Sequence, residues 1–393
     1  DSRFAWGFDA AARGFEKRNP EIEVEIPYGY NDDKYIIEIL GGSPPDIVLV
    51  YPPALVSWGV RGLLQPLDEF ARRSNVTSSD FVPAAWPQHV WAGKLYAMPL
   101  QVDPNFALIW NKQLFAEGGL MPEQGPETLT DFEAYFKKLT RVDADGRMSQ
   151  IGMVPWDVYG GANTVFTWGW IYGGSFYDYE SNQVTAHDGP IVEALTYLRS
   201  FYERYNPELP ILSEGLPPNR GRFAAGRDAM RFSVTGELFE YLERFPDLDI
   251  GIGKMFYQPE SGVHNPAWLG GWSLGMPPGV RDPQVAWELV RYLTADREGT
   301  AYFAEASGWM PFYVKSPVYQ SKFARDPYWR VYMDIALTAE SYRPAMPVIE
   351  SYYSELDKAF PLMMSGEMQP RDALQQVSER VQLELDKVLQ GKD

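Results

Sequence analysis

Residues Trp91 to Phe115 read WAGKLYAMPLQVDPNFALIWNKQLF, and this stretch decides the fold. Ala92 and Gly93 make a short turn, and an apolar strand from Leu95 to Leu100 follows and runs through a proline. Asp103 then stands alone before Pro104, and a second apolar strand ends at Asn111 and Lys112. Strands on both sides of a single acid predict a chain that crosses from one lobe to another.

Reading outward, the segment FDAAARGFEKR puts Phe8, Ala11, Ala12 and Phe15 on one helical face and stops at Asn19-Pro20. Glu21 to Ile26 alternates acids with Ile and Val at period two, which predicts a half-buried strand. Tyr35 to Leu40 reads as a helix ended by Gly41 and Gly42, and Asp46 to Val50 as a continuous apolar strand suited to a parallel sheet. Downstream, Thr130 and Glu133 form a Thr-x-x-Glu capping box opening a helix that carries Phe132, Tyr135, Phe136 and Leu139. Asp188 and Pro190 open another helix. Leu248 to Met255 and Trp268 to Met276 read as strands, the second interrupted by glycines. Asp282-Pro283 caps a helix on which Ala286, Leu289, Val290 and Leu293 align, and Leu374, Val377, Val381, Leu385 and Val388 mark a last one. Helix and strand alternate, so the class is α/β built from βαβ units.

A chain of 393 residues with 45% hydrophobic content fills two cores rather than one. Its 53 acids against 35 bases leave a net charge of −18, the wrong sign for phosphate backbones or anionic lipid, so nucleic acid is excluded as a partner. Cysteine is absent, which removes disulfides and thiolate metal sites. No apolar run approaches the roughly 20 residues a spanning helix needs. The chain opens at Asp1 without a charged and apolar leader, so any signal or lipid-anchor segment is expected either to have been removed or to lie outside this sequence. Trp, Tyr and Phe number 13, 24 and 21; most should pack in cores, and the surplus suits a site that presents flat apolar faces with polar tips.

Taken in order, FEKRNPEIEVEI, PPDIVLV, RGLLQPLDEF, AGKLYAMPLQVDPNFALIWNKQLF, TLTDFEAY, FTWGWIYGG, FAAGRDAMRFSVTGEL and WLGGWSLGM resemble the family 1 extracellular solute-binding proteins of ABC importers, the group that includes maltose-binding protein. The resemblance implies a type II periplasmic-binding-protein fold of two α/β lobes, each a mostly parallel sheet flanked by helices, joined by crossing strands that act as a hinge. The implied lobes are 1–103 plus 272–312 and 104–271 plus 313–393. Ligand would lie between them and be gripped by hinge closure. The family's opening strand and loop have no counterpart before Phe8. Where maltose-binding relatives carry a Trp after the loop glycine, this chain has Gly236, Glu237 and Leu238.

Asp103 is a candidate ligand contact because a carboxylate accepts hydrogen bonds from a sugar diol; its competing role is a turn acid. Trp168, Trp170 and Tyr172 alternate along a Gly-rich stretch and could offer a stacking face, with core packing as the rival. Trp272 follows Gly270-Gly271, where glycines permit close backbone approach. Tyr51 ends an apolar strand, Tyr352 and Tyr353 follow Ile349-Glu350-Ser351, Asn163 precedes the aromatic stretch, and Glu237 takes the Trp position. Adjacent tyrosines also serve iron, but His89, His187 and His264 stand at no ligand spacing, so neither metal nor cofactor is expected. Gly251-Ile-Gly253-Lys254 lacks the spacing of a phosphate loop, and Asp143-Ala-Asp145-Gly146 lacks the Glu of a calcium loop.

The expected function is the extracytoplasmic, non-enzymatic substrate-binding component of an ABC importer. It would be a monomer that carries a sugar or oligosaccharide to permease transmembrane subunits, with peripheral membrane association through a removed lipid anchor. A glycoside hydrolase would need two acids placed across a bond. A binder of phosphate esters such as glycerol phosphate would need Arg or Lys at the ligand, and the assigned segments carry few.

Overall fold

A computed structural model describes residues 2–29, 31–217, 220–321 and 323–391. The chain forms two compact units. The first comprises Asp1–Pro104, Leu269–Thr338 and Tyr342–Ile349; the second comprises Asn105–Trp268, Ala339–Ser341 and Glu350–Asp393. The sequence-based lobes assigned everything after 312 to the second. Here residues 313–338 and 342–349 pack with the first, where Tyr313 bridges Phe81, the Val314 amide donates to the Asp80 carbonyl at 2.9 Å, and Lys315 pairs with the Asp80 carboxylate.

In the first unit, a four-stranded sheet runs in the order Val48–Val50, Trp268–Gly275, Ala97–Asn105, Met310–Pro311. Val48 faces Gly275 and Val50 faces Ser273, antiparallel. In the second, Ala107–Asn111 is the middle strand, with Met230–Ser233 and Ile250–Lys254 both antiparallel to it. These directions differ from the expected parallel pairing. A continuous apolar strand reports only that both faces are covered, and an antiparallel strand in a covered sheet reads the same way. Val48, Val50, Leu55, Leu63, Leu64 and Ala97 form the core against which Tyr35, Ile36 and Ile39 of the helix Asp32–Leu40 pack.

The turn at Ala92-Gly93 is present, with φ of 48° and 74° joining Val90–Trp91 to Lys94–Leu95. Both values are positive, as a tight two-residue hairpin requires. Asp103 lies inside a strand that continues to Asn105, not beyond its end. Glu21 to Ile26 keeps its alternation, with Ile22, Val24 and Ile26 half-buried and the acids exposed, but the described residues there form no ladder. Period two records which side chains turn inward; pairing requires a neighbouring edge.

The capping box closes two residues earlier than expected. Thr128 Oγ1 accepts from the Asp131 amide at 3.1 Å, and the Asp131 carboxylate accepts from the Thr128 amide at 3.0 Å, opening the helix Leu129–Leu139. Two orphan amides are satisfied at once. Thr128→Ala is expected to cost about 1 kcal/mol, read as a lower thermal midpoint, whereas Thr130→Ala should leave the midpoint unchanged.

The second unit absorbs most of its aromatics. Phe132 stacks on Phe256 at 4.4 Å, Phe136 meets Phe201 edge-on at 4.9 Å, and Phe166 meets Phe176 at 4.5 Å. Gly251 is explained by packing: a Cβ there would lie 2.1 Å from the Trp110 ring, whose indole donates to the Pro122 carbonyl at 2.8 Å. The Asp143 loop is a turn, its Oδ1 accepting from the amides of Asp145 and Arg147.

His89 is fully buried in the first unit. Its Nδ1 donates to the Ala85 carbonyl at 2.7 Å and its Nε2 accepts from the Ser273 hydroxyl at 2.6 Å. Burial outweighs the carbonyl contact and pushes the imidazole down to about 4. In the unfolded chain it titrates near 6.5. Between these values only the unfolded state takes up the proton, so stability is full above pH 6.5 and falls as pH drops toward 4. The first unit should lose about 2 kcal/mol from this group between pH 7 and pH 5. Urea unfolding of wild type and His89→Gln at both pH values checks it, since the variant should have the shallower slope.

Candidate functional site

Each unit carries its own cluster of half-exposed aromatic and polar side chains. In the first, Tyr51 ends the Val48 strand and precedes the helix Pro52–Val60, where Pro52 and Pro53 start the helix without needing an amide donor. Its side chain is 39% exposed, and its ring lies 5.7 Å from the half-buried Trp272. The Phe4 ring lies 6.2 Å from that of Trp272. Arg343 Nη1 donates to the Tyr51 hydroxyl at 2.5 Å, with its guanidinium carbon 5.2 Å from the ring centre.

Trp272 is carried there by Gly271. That residue has φ of 131°, and a Cβ on it would sit 1.8 Å from the Gln101 carbonyl oxygen. The Trp268 and Ala97 strands are sheet neighbours. Asp103, two residues beyond Gln101, therefore lies on the strand next to Trp272 and is half-buried. The first unit thus gathers three of the expected residues, Tyr51, Trp272 and Asp103, on adjoining elements.

In the second unit, Glu237 is the hub. Its carboxylate accepts from the hydroxyl of Tyr159, from Ser233 Oγ at 3.1 Å and from Arg231 Nη2 at 2.7 Å. Arg231 also donates to the Tyr241 hydroxyl at 2.9 Å. Asn163 Nδ2 donates to the Tyr159 carbonyl at 2.9 Å, and the Tyr353 hydroxyl approaches Asn163 Oδ1 at 3.4 Å. Glu237, Asn163 and Tyr353 are therefore linked through Tyr159. Burial, followed by the charge of Glu237 and the hydrogen bond to it, raises the Tyr159 phenol far above its ordinary value and keeps it protonated as a donor.

The other expected residues are spent on the core. Trp168 to Tyr172 do not alternate, because residues Gly161–Ile171 are helical and positions two apart diverge on a helix. Trp168 is fully buried, its indole donating to the Pro155 carbonyl at 2.7 Å. Trp170 packs between Phe166 at 5.4 Å and Phe176 at 5.6 Å. Tyr352 is fully buried and donates to the Phe176 carbonyl at 3.0 Å. A ring covered on both faces has no surface to offer a ligand.

Neither Tyr159 nor Arg343 is marked by periodicity or motif. The sequence trace of Tyr159 is the Gly160-Gly161 pair after it, an aromatic ring before a glycine turn. Arg343 is an arginine in an irregular segment, paired to Tyr51 across 292 positions.

Residues 6–300 match the bacterial extracellular solute-binding protein family. The chain belongs to that family. Its members bind solutes and are not enzymes. The chain superposes on the sugar-binding protein MalE from Xanthomonas citri with a TM-score of 0.79 and 20% identity, covering 97% of this chain and 93% of that one. It superposes on CpMnBP1 with mannotriose bound with a TM-score of 0.76 and 23% identity, covering 96% and 97%. These likenesses establish the type II periplasmic-binding-protein fold for this solute-binding chain. The sn-glycerol-3-phosphate-binding periplasmic protein UgpB of Salmonella typhimurium is 27% identical over 139 residues, 33% of this chain and 32% of that protein. The chain thus matches about a third of the length of that relative.

No helix among the described residues is long and apolar enough to cross a membrane, and among the same residues no group of acids and histidines is placed to hold a metal ion.

Proposed function

We propose that this solute-binding protein carries a carbohydrate, outside the cytoplasm, to the permease of an ABC importer. What supports the reading is the clustering of anchored, part-exposed aromatic rings with hydrogen-bonding side chains on each unit. Tyr51 and Trp272 stand beside Asp103 in the first unit, and Tyr159 stands beside Glu237 and Asn163 in the second. Pyranose rings have apolar C–H faces and hydroxyl edges, so aromatic faces with amide and carboxylate acceptors suit them. The mannotriose bound to CpMnBP1 and the maltotriose bound to MalE of Bdellovibrio bacteriovorus support the same class.

A thermal-shift panel of mono- and oligosaccharides, with glycerol 3-phosphate included, tests it. A ligand that binds the folded state alone raises the midpoint in proportion to its saturation. One or more sugars should raise it by several degrees. A shift with glycerol 3-phosphate and with no sugar would replace this reading by the phosphate-ester one, for which Arg343 beside Tyr51 would supply the cation.

A further inference from the structure

We infer that the buried His89 is the positioning residue for Trp272 in the first unit, acting from the core side of the strand through the Ser273 hydroxyl. This rests on the carbohydrate reading above, with Trp272 as a ligand contact. The direction of the hydrogen bonds is forced by chemistry. The Ala85 carbonyl can only accept, so Nδ1 carries the proton and Nε2 presents its lone pair. The Ser273 hydroxyl must then donate to it, at 2.6 Å. Burial holds the imidazole down at about 4, so that lone pair stays available at neutral pH. His89 and Ser273 are both fully buried and stand 184 positions apart in the chain.

Ser273 follows Trp272 on the strand Trp268–Gly275, and successive side chains on a strand point to opposite faces. Trp272 is half-buried whereas Gly271 and Ser273 are buried, so the indole and the Ser273 hydroxyl leave the same backbone in opposite directions. Ser273 is also the register partner of Val50, the residue before Tyr51. One buried hydrogen bond thus fixes the strand pair at the level where the Tyr51 and Trp272 rings emerge. Phe312 holds the other flank. It meets the His89 ring edge-on at 6.2 Å, and its Cε2 lies 3.2 Å from where a Cβ on Gly271 would stand. A strand pinned from its buried side leaves its outward indole little freedom to lose when a ligand lies on it. Without the acceptor, the Ser273 hydroxyl is buried and unpaired, and the strand must shift to satisfy it.

Two variants separate positioning from packing, because each keeps one half of the imidazole. His89→Gln places its amide oxygen near Nε2 and keeps an acceptor for Ser273. His89→Asn places its amide nitrogen near Nδ1, keeps the donor to Ala85 and abandons Ser273. Both are titrated calorimetrically with the sugar giving the largest thermal shift, with circular dichroism as the check on folding. His89→Asn should bind about five-fold more weakly, and His89→Gln should recover to within about two-fold of wild type. Ser273→Ala should match His89→Asn, and it carries the test where His89→Asn does not fold. Added to Trp272→Ala, Ser273→Ala should cost no further affinity, since the ring it positions is gone. Equal affinity in the two His89 variants overturns the assignment, as does wild-type affinity in Ser273→Ala or a full additive loss in the double variant. Wild-type protein that binds no sugar removes the carbohydrate reading and this inference with it.

Discussion

Gly271→Ala is expected to destabilise the first unit by about 4 kcal/mol or more, the largest single effect foreseen for a one-methyl change. Two penalties coincide. With φ of 131°, the residue occupies backbone space that L side chains rarely adopt, which alone costs about 1–3 kcal/mol. In addition, the new Cβ would lie 1.8 Å from the Gln101 carbonyl oxygen. That oxygen belongs to the backbone of the neighbouring strand, so no rotamer change relieves the overlap, and the two strands must part. Gly93→Ala is the matched control: its φ is 74° and a Cβ there meets nothing within 4 Å. It should cost about 1 kcal/mol, from conformation alone. Denaturant unfolding of both variants, analysed as two transitions since two units need not unfold together, gives the difference. Equal losses in the two would mean that strand proximity at Gly271 is not what demands glycine.

The fold was legible wherever local chemistry is sufficient. The Ala92-Gly93 turn and the apolar run after it are local devices, and each stands where expected; the second strand ends at Asn111 as read, and there the structure adds a helix cap, Asn111 Oδ1 accepting from the Leu114 amide at 3.1 Å. The Asp282 cap is equally local, its Oδ1 accepting from Gln284 and Val285. Strand direction was not legible, because Val48 to Val50 would be equally apolar in either sense. Register of the capping box slipped because Thr128 and Thr130 both precede an acid by three, and only the helix start distinguishes them.

The site divides along the same line. Tyr51, Trp272 and Asp103 were proposed from strand ends and a glycine pair, and the structure sets them on adjoining elements of one unit, which leaves their contact with a ligand as the proposal tested below. Trp168, Trp170 and Tyr352 are as aromatic as Trp272, and only the packing of Phe132, Phe166 and Phe176 around them makes them core. Arg343 and Tyr159 acquire meaning through partners 292 and 78 positions away, a distance that periodicity cannot span.

Trp272→Ala is expected to weaken the best sugar of the panel by about 100-fold, or ~2.7 kcal/mol, while the protein stays folded. The size follows from position. Trp272 is half-buried, framed by Tyr51 at 5.7 Å and Phe4 at 6.2 Å, on the strand beside Asp103. An indole so placed combines large apolar area with little rotamer freedom to lose, the combination that makes tryptophan a dominant contact when buried by a partner. Trp272→Phe should retain part of the affinity. Trp168→Phe supplies the contrast, since Trp168 is fully buried and bonded to the Pro155 carbonyl. It should lower the melting midpoint and leave affinity per folded molecule unchanged. Titration calorimetry on all three, at a temperature where each is folded, separates the roles. If Trp168→Phe abolishes binding and Trp272→Ala does not, the ligand lies against the helix Gly161–Ile171, and the glycine pair before Trp272 serves strand packing alone.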